Sequence, residues 1–153
     1  RLKGVYGDWV VLPSDRFHMV ELDTNQADSR TFNGFTVASM PVAHGPESIA
    51  YRIVDGDGKS VVYSGDSDVC DGLTAIATDA DLMICESAFP DGQKVDGHLT
   101  PSLAGTMAQK ARVKQLILTH FYPACDSTDV EKQCRSTYSG KVVAAKDLMT
   151  ITL

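Results

Sequence analysis

The chain has 153 residues, 43% of them apolar, and a formal net charge of −6 at pH 7, a length that suits one domain built on one sizeable core. The acidic balance and the lack of any basic run argue against broad binding to nucleic acid or to a membrane surface, where affinity comes from clustered Lys and Arg. The apolar runs fall well short of the roughly 20 residues of a membrane span and residues 1–10 carry no signal-peptide core, so a soluble, cytoplasmic protein is the expectation.

Residues 1–43 alternate apolar runs with turn formers: WVVL, then Pro13 and Ser14, then FHMVEL, the polar stretch DTNQADSR, and FTVASMPVA. This predicts a β-rich meander, with His18 as a half-buried strand residue and Trp9 as a packing residue. Next, IAYRIV and KSVVYSGD flank Asp55-Gly56-Asp57-Gly58, the pattern of a hairpin. The same acidic turn brushes against a calcium-loop register, but Ser60 stands where that loop needs glycine and Asp66 where it needs glutamate. A hairpin turn is the better reading.

From there strand and helix alternate: a short helix over 73–78, the strand LMICE, a helix over 101–112, the strand QLILTH, a helix over 128–138, and a final strand pair in VVAA and MTITL. That alternation predicts an α/β fold. Thr100 before Pro101 reads as an N-cap with proline at the first helical position, Thr128 with Glu131 as a capping box, and Gly140 as the close of the last helix. No repeat or linker divides the chain.

Three apolar runs lead straight into a residue that can bind metal or move a proton: VVYSGD into Asp66, LMICE into Glu86 and LILTH into His120. Ligands of layered α/β folds gather outside the carboxyl ends of such strands. His44 and His98 add imidazoles in glycine- and proline-flanked turns. Imidazole and carboxylate form the ligand set of catalytic zinc, and a carboxylate can bridge two ions; His44, Asp66 and His120 fit that part. Cys70, Cys85, Cys125 and Cys134 contain no C-x-x-C spacing and read as buried free thiols, with a Cys125–Cys134 bridge or a zinc site as the alternatives. Serine-hydrolase elbows, Walker loops and dinucleotide fingerprints are absent.

The order of these pieces, from the VAH of His44 through YSGDS, CES and HLT to LTHF, resembles the carboxyl-terminal half of a metallo-β-lactamase-fold hydrolase, most of all the ribonuclease Z-like branch. The resemblance covers residues 36–153. It implies an αββα sandwich, two zinc ions (manganese or iron as alternatives) held by His44, Asp66 as the bridge and His120, and a proton relay in which Glu86 orients His98. The family signature His-x-His-x-Asp-His, which supplies most ligands of the first ion, does not occur in these 153 residues. With Arg1 in place of Met, the chain reads as a single incomplete domain whose upstream half is absent, alone holding at most one ion weakly and showing little catalysis. Removal of half the sandwich uncovers apolar sheet surface and so predicts self-association or a retained upstream piece.

What the resemblance implies for chemistry is metal-assisted attack of water, with His98 as general acid on the leaving oxygen. That acid favours a phosphodiester substrate; RNA is possible but disfavoured by the acidic charge, and no long basic, glycine-rich arm precedes His44. An acyl hydrolase of the same fold, acting on a lactone, thioester or lactam, and a catalytically silent structural fragment are the competing expectations.

Overall fold

The structure, a computed structural model, describes residues 19–153. His18, Trp9 and the WVVL run lie outside the described residues, as does the start of FHMVEL; its remaining part, 19–22, forms no strand.

Among the described residues one sheet of seven strands organises the fold, with spatial order equal to chain order. Strands β1 (Asp28–Phe32), β2 (Phe35–Pro41), β3 (Ile49–Asp55) and β4 (Ser60–Tyr63) form an antiparallel meander. From β4 onward, β5 (Leu82–Glu86), β6 (Gln115–Thr119) and β7 (Lys141–Ala144) pair in parallel. The switch follows from composition. Hairpin turns such as Asp55–Gly58 join neighbours directly, whereas parallel neighbours need a crossover, supplied by helices α1 (Asp71–Ala77), α2 (Pro101–Lys110) and α3 (Val130–Arg135). At the Asp55 turn, Asp55 Oδ1 accepts from the N–H groups of Asp57 (3.0 Å) and Lys59 (2.9 Å), an Asx turn that settles this segment as a hairpin.

All three helices lie on one face. The residues of that face, Ala50, Val62, Met83, Cys85, Leu116, Leu118 and Val142, join Leu73, Met107, Ala108 and Cys134 from the helices in one core. Each fully buried Leu or Met there contributes roughly 2 kcal/mol by removal from water. The opposite face leaves Phe32, Phe35, Ile53 and Tyr63 exposed, with the Phe32 and Phe35 rings stacked 5.1 Å apart. One β layer under one α layer is the α/β half-sandwich that the sequence implies.

Several local expectations need correction. The polar DSRTF segment is β1, a strand that hydrophobic alternation could not reveal because four of its five residues are exposed. MTITL forms no strand: the chain turns at 146–149, where Leu148 has φ +62° and Met149 N–H donates to the Lys146 carbonyl, and it leaves the side of β7. Thr100 occupies the α2 N-cap, yet its hydroxyl makes no capping hydrogen bond. At α3 the cap is Asp129, whose Oδ1 accepts from Lys132 N–H at 2.9 Å; Thr128 instead ends a 3₁₀ turn at Pro123–Ser127. Glu131 is drawn off to Arg135 and to the Ala144 N–H. The helix closes at Ser136, before Gly140 is reached. All four cysteines are unpaired, and burial pushes the Cys134 thiol up to about 12, which leaves no Cys125–Cys134 bridge.

The amino ends of the parallel strands are tied by Asp81. Its Oδ2 accepts from Ser60 N–H (2.8 Å) and Ser60 Oγ (3.1 Å), and its Oδ1 accepts from Lys114 Nζ (2.7 Å). The Lys114 ammonium, then the Ser60 N–H, hold the Asp81 carboxyl well below the usual carboxylate range. A depressed folded-state pKa gives stability that is present above the unfolded value of about 3.9 and is lost as pH falls below it. Asp81→Asn is therefore expected to cost about 1.5 kcal/mol at pH 7, the scale of hydrogen bonds to a charged group. The gap to wild type should narrow below about pH 4, read from urea unfolding at pH 7 and pH 3. An equal gap at both values would refute this account.

Candidate active site

The chemistry-bearing residues gather at the other end, outside the carboxyl ends of β4, β5 and β6. After β4, Ser64 N–H donates to the Ile84 carbonyl at 3.0 Å and extends the ladder by one residue. Gly65 then turns with φ +59° and delivers Asp66. A Cβ at Gly65 would lie 3.1 Å from the Ile49 carbonyl oxygen, and L residues are strained at this φ. Gly65→Ala should thus cost about 1–2 kcal/mol and displace Asp66, seen as a lower melting temperature; an unchanged melting temperature would contradict the strain argument.

Glu86 ends β5 with its side chain 2% exposed. Burial of a lone carboxylate is costly, and here it is offset by four donors. Oε1 accepts from Ser67 N–H (2.8 Å) and His98 Nδ1 (2.9 Å), and Oε2 from the N–H groups of Ala88 (3.2 Å) and Leu99 (3.1 Å). His98, on the loop between β5 and α2, is thereby oriented through Nδ1, and its Nε2 is the nitrogen left for the site. His120 follows β6 and adopts φ +62°, a left-handed backbone uncommon outside glycine and held only where the surroundings over-determine it.

These elements converge. Asp66, His98 and His120 each offer a ligand atom, all within 4.8 Å of one another, and His120 Nε2 lies 3.5 Å from Asp66 Oδ1. His44, placed by sequence beside Asp66 and His120, is not in this tightest set. Its ring stands 4.9 Å from that of His98, and its Nδ1 donates to the Gly97 carbonyl at 2.9 Å. His98, assigned from sequence to proton transfer, takes the nearer position. Phe89 and Tyr122, which the sequence reading left out, stack 4.7 Å apart and flank the imidazoles, with the Tyr122 ring 5.6 Å from that of His120. The only signal for them was adjacency in the chain, Phe89 to CES and Tyr122 to LTHF.

Residues 5–121 match the family described as Beta-lactamase superfamily domain. The chain belongs to that superfamily. Within it, the Mycobacterium tuberculosis protein Rv1339 is 37% identical over 122 residues, covering 77% of this chain and 45% of that protein. A ribonuclease Z of Gemmatimonas aurantiaca is 39% identical over 93 residues, covering 57% of this chain and 30% of the enzyme. Among solved structures, the metallo-β-lactamase fold protein YhfI of Bacillus subtilis superposes with a TM-score of 0.72 at 30% identity, covering 83% of this chain and 52% of YhfI. The superfamily fold inferred from sequence is therefore the fold observed, and the chain spans about a third to a half of the length of these relatives. No helix among the described residues is long and apolar enough to cross a membrane.

Proposed function

We propose that the chain is the carboxyl-terminal half of a metal-dependent phosphodiesterase of the ribonuclease Z-like type. The observation that carries this reading is the meeting of Asp66, His98 and His120 within 4.8 Å, with His98 backed by buried Glu86. The Asp66 carboxylate and the His120 imidazole are donors that fit zinc, and manganese or iron as alternatives, with His98 beside them as the proton donor. Asp66 and His120 would hold the ion, with His44 as a further ligand once upstream residues complete a dinuclear site. When bound, such ions supply Lewis acidity to water and to the phosphoryl oxygens.

The remaining roles belong to the chain's own side chains. Glu86 accepts from His98 Nδ1 and fixes the ring with Nε2 toward the site, the nitrogen through which His98 delivers a proton. Nε2–H protonates the departing alkoxide oxygen. Phe89 and Tyr122 limit water beside the imidazoles. The formal charge of −6 supports a small diester over RNA. The exposed Phe32, Phe35, Ile53 and Tyr63 support association through the uncovered sheet face, with a second copy or an upstream piece, testable by light scattering with mass spectrometry. Unpaired buried cysteines support a reducing, cytoplasmic setting.

The test is calorimetric titration of the chain with zinc, beside hydrolysis of bis-p-nitrophenyl phosphate, a lactone and a thioester. One weak site is expected, weakened at least about tenfold by Asp66→Ala or His120→Ala, in keeping with loss of one of its few protein ligands. Binding indifferent to both substitutions would end the metal assignment, and turnover confined to the lactone or thioester would move the reading to an acyl hydrolase.

A further inference from the structure

An ion pair between Asp68 and Lys94 ties together the three loops that carry the site. Asp68 Oδ2 accepts from Lys94 Nζ at 2.6 Å and from Gly97 N–H at 3.0 Å, while its Oδ1 accepts from Val69 N–H at 2.7 Å. Asp68 N–H donates to the Ala43 carbonyl at 2.7 Å, within an isolated bridge between those two residues. Lys94 Nζ also donates to the Val95 carbonyl at 2.9 Å. One residue, by its backbone N–H and its carboxylate together, thus links the Asp66 loop, the loop ending in His44 and the loop leading to His98.

Gly97 is gripped from both sides. Its N–H rests on Asp68 and its carbonyl accepts from His44 Nδ1 at 2.9 Å. A carbonyl can only accept, so His44 carries its proton on Nδ1 and keeps Nε2 as the free nitrogen. Gly97 has φ +85°, and a Cβ there would lie 3.1 Å from His44 Nδ1. The next residue is His98. We infer that Asp68, neutralised by Lys94, is a positioning residue: it holds Gly97 where the glycine carbonyl sets the His44 tautomer and where His98 meets Glu86.

The pair is partly solvated, with Lys94 and Asp68 side chains 32% and 26% exposed. Pairs of that kind add little to global stability, which separates a local positioning role from a general one. Only the catalytic consequence of the inference rests on the proposed function; the tautomer and the loop geometry do not.

The experiment compares the wild-type chain with Asp68→Ala, Asp68→Asn and Lys94→Met by amide hydrogen exchange and imidazole ¹⁵N NMR. Asp68→Ala should speed exchange at Gly97 by about tenfold or more and shift His44 to mixed tautomers, while amides of β5 and β6 stay within about twofold, as expected of a local opening. Asp68→Asn, which keeps an acceptor for Gly97, should restore part of the protection, and Lys94→Met should act more weakly in the same direction. In diester hydrolysis with the upstream half restored, Asp68→Ala should lower kcat by about 10–100-fold with little change in KM, the scale for residues that orient ligands. Unchanged Gly97 exchange with an unchanged His44 tautomer would overturn the inference, and so would a uniform rise in exchange across the sheet. If Asp68→Ala does not fold, Lys94→Met decides. NMR changes as expected in a protein that hydrolyses no diester even with its upstream half restored would sink the proposed function and leave this inference standing.

Discussion

Glu86→Gln is expected to destabilise the protein by about 2–3 kcal/mol and to reverse the His98 tautomer. The carboxylate meets donors on both oxygens: Ser67 N–H and His98 Nδ1 on one, Ala88 and Leu99 N–H on the other. Glutamine offers one acceptor oxygen and one amide nitrogen, so one pair of donors must face N–H₂. With the amide nitrogen toward Ala88 and Leu99, two backbone N–H groups are orphaned. With it toward Ser67 and His98, one is orphaned, and His98 can respond by accepting at Nδ1 and moving its proton to Nε2. The second arrangement is the less costly, and a single unsatisfied buried donor plus a lost charge-assisted bond sets the magnitude. Against a total stability of about 5–15 kcal/mol the loss is readily measured. Urea unfolding at pH 7 gives the energy and imidazole ¹⁵N shifts give the tautomer; a variant within about 0.5 kcal/mol of wild type with His98 unchanged would refute the account.

The other large effect concerns turnover. With the upstream half restored, His98→Ala should reduce hydrolysis of a phosphodiester whose leaving group is an alkoxide by about 10²–10⁴-fold, the usual contribution of a positioned general acid, and should reduce hydrolysis of bis-p-nitrophenyl phosphate or a p-nitrophenyl ester much less. The difference arises at the leaving group. An alkoxide departing from phosphorus is strongly basic and gains from the proton at Nε2, whereas p-nitrophenolate leaves unaided. The His98 side chain is 14% exposed and Glu86 Oε1 keeps its Ser67 N–H partner at 2.8 Å, so the variant should remain folded, checked by circular dichroism. Equal losses on both substrate classes would mean that His98 serves metal binding or structure instead of acid catalysis.

How far the sequence discloses this molecule depends on whether a signal is local. LMIC and LIL read as strands because Leu82, Met83, Cys85, Leu116, Ile117 and Leu118 are buried, and short continuous apolar runs of this kind mark interior parallel strands. Asp66 and Glu86 are legible for the same reason, as abrupt polar ends of such runs. β1 is not, since DSRTF is exposed and is held by register with β2, from Asp28 opposite Ser39 to Phe32 opposite Phe35. Nor is the α3 cap, where Thr128 and Asp129 are both good capping residues and the 3₁₀ turn before them decides between them. Within the site, sequence order suggests His44 as the partner of Asp66 and His120. The closer approach of His98 depends on the Glu86 contact and on a glycine turn 53 residues along the chain from His44. Asp68 and Lys94 were hidden for a similar reason: 26 residues separate them, and no motif spans that gap.

Among the described residues, the two outermost strands have a consequence for behaviour at high concentration. β1 offers a neighbour a ribbon of Asp28, Ser29, Arg30 and Thr31, with Arg30 turned onto Asp28, and β7 is four residues long and begins with Lys141. Charge on one border and brevity on the other deny incoming chains a template for main-chain pairing. Growth of amyloid-like fibres by strand addition at either margin of the described sheet is thus disfavoured.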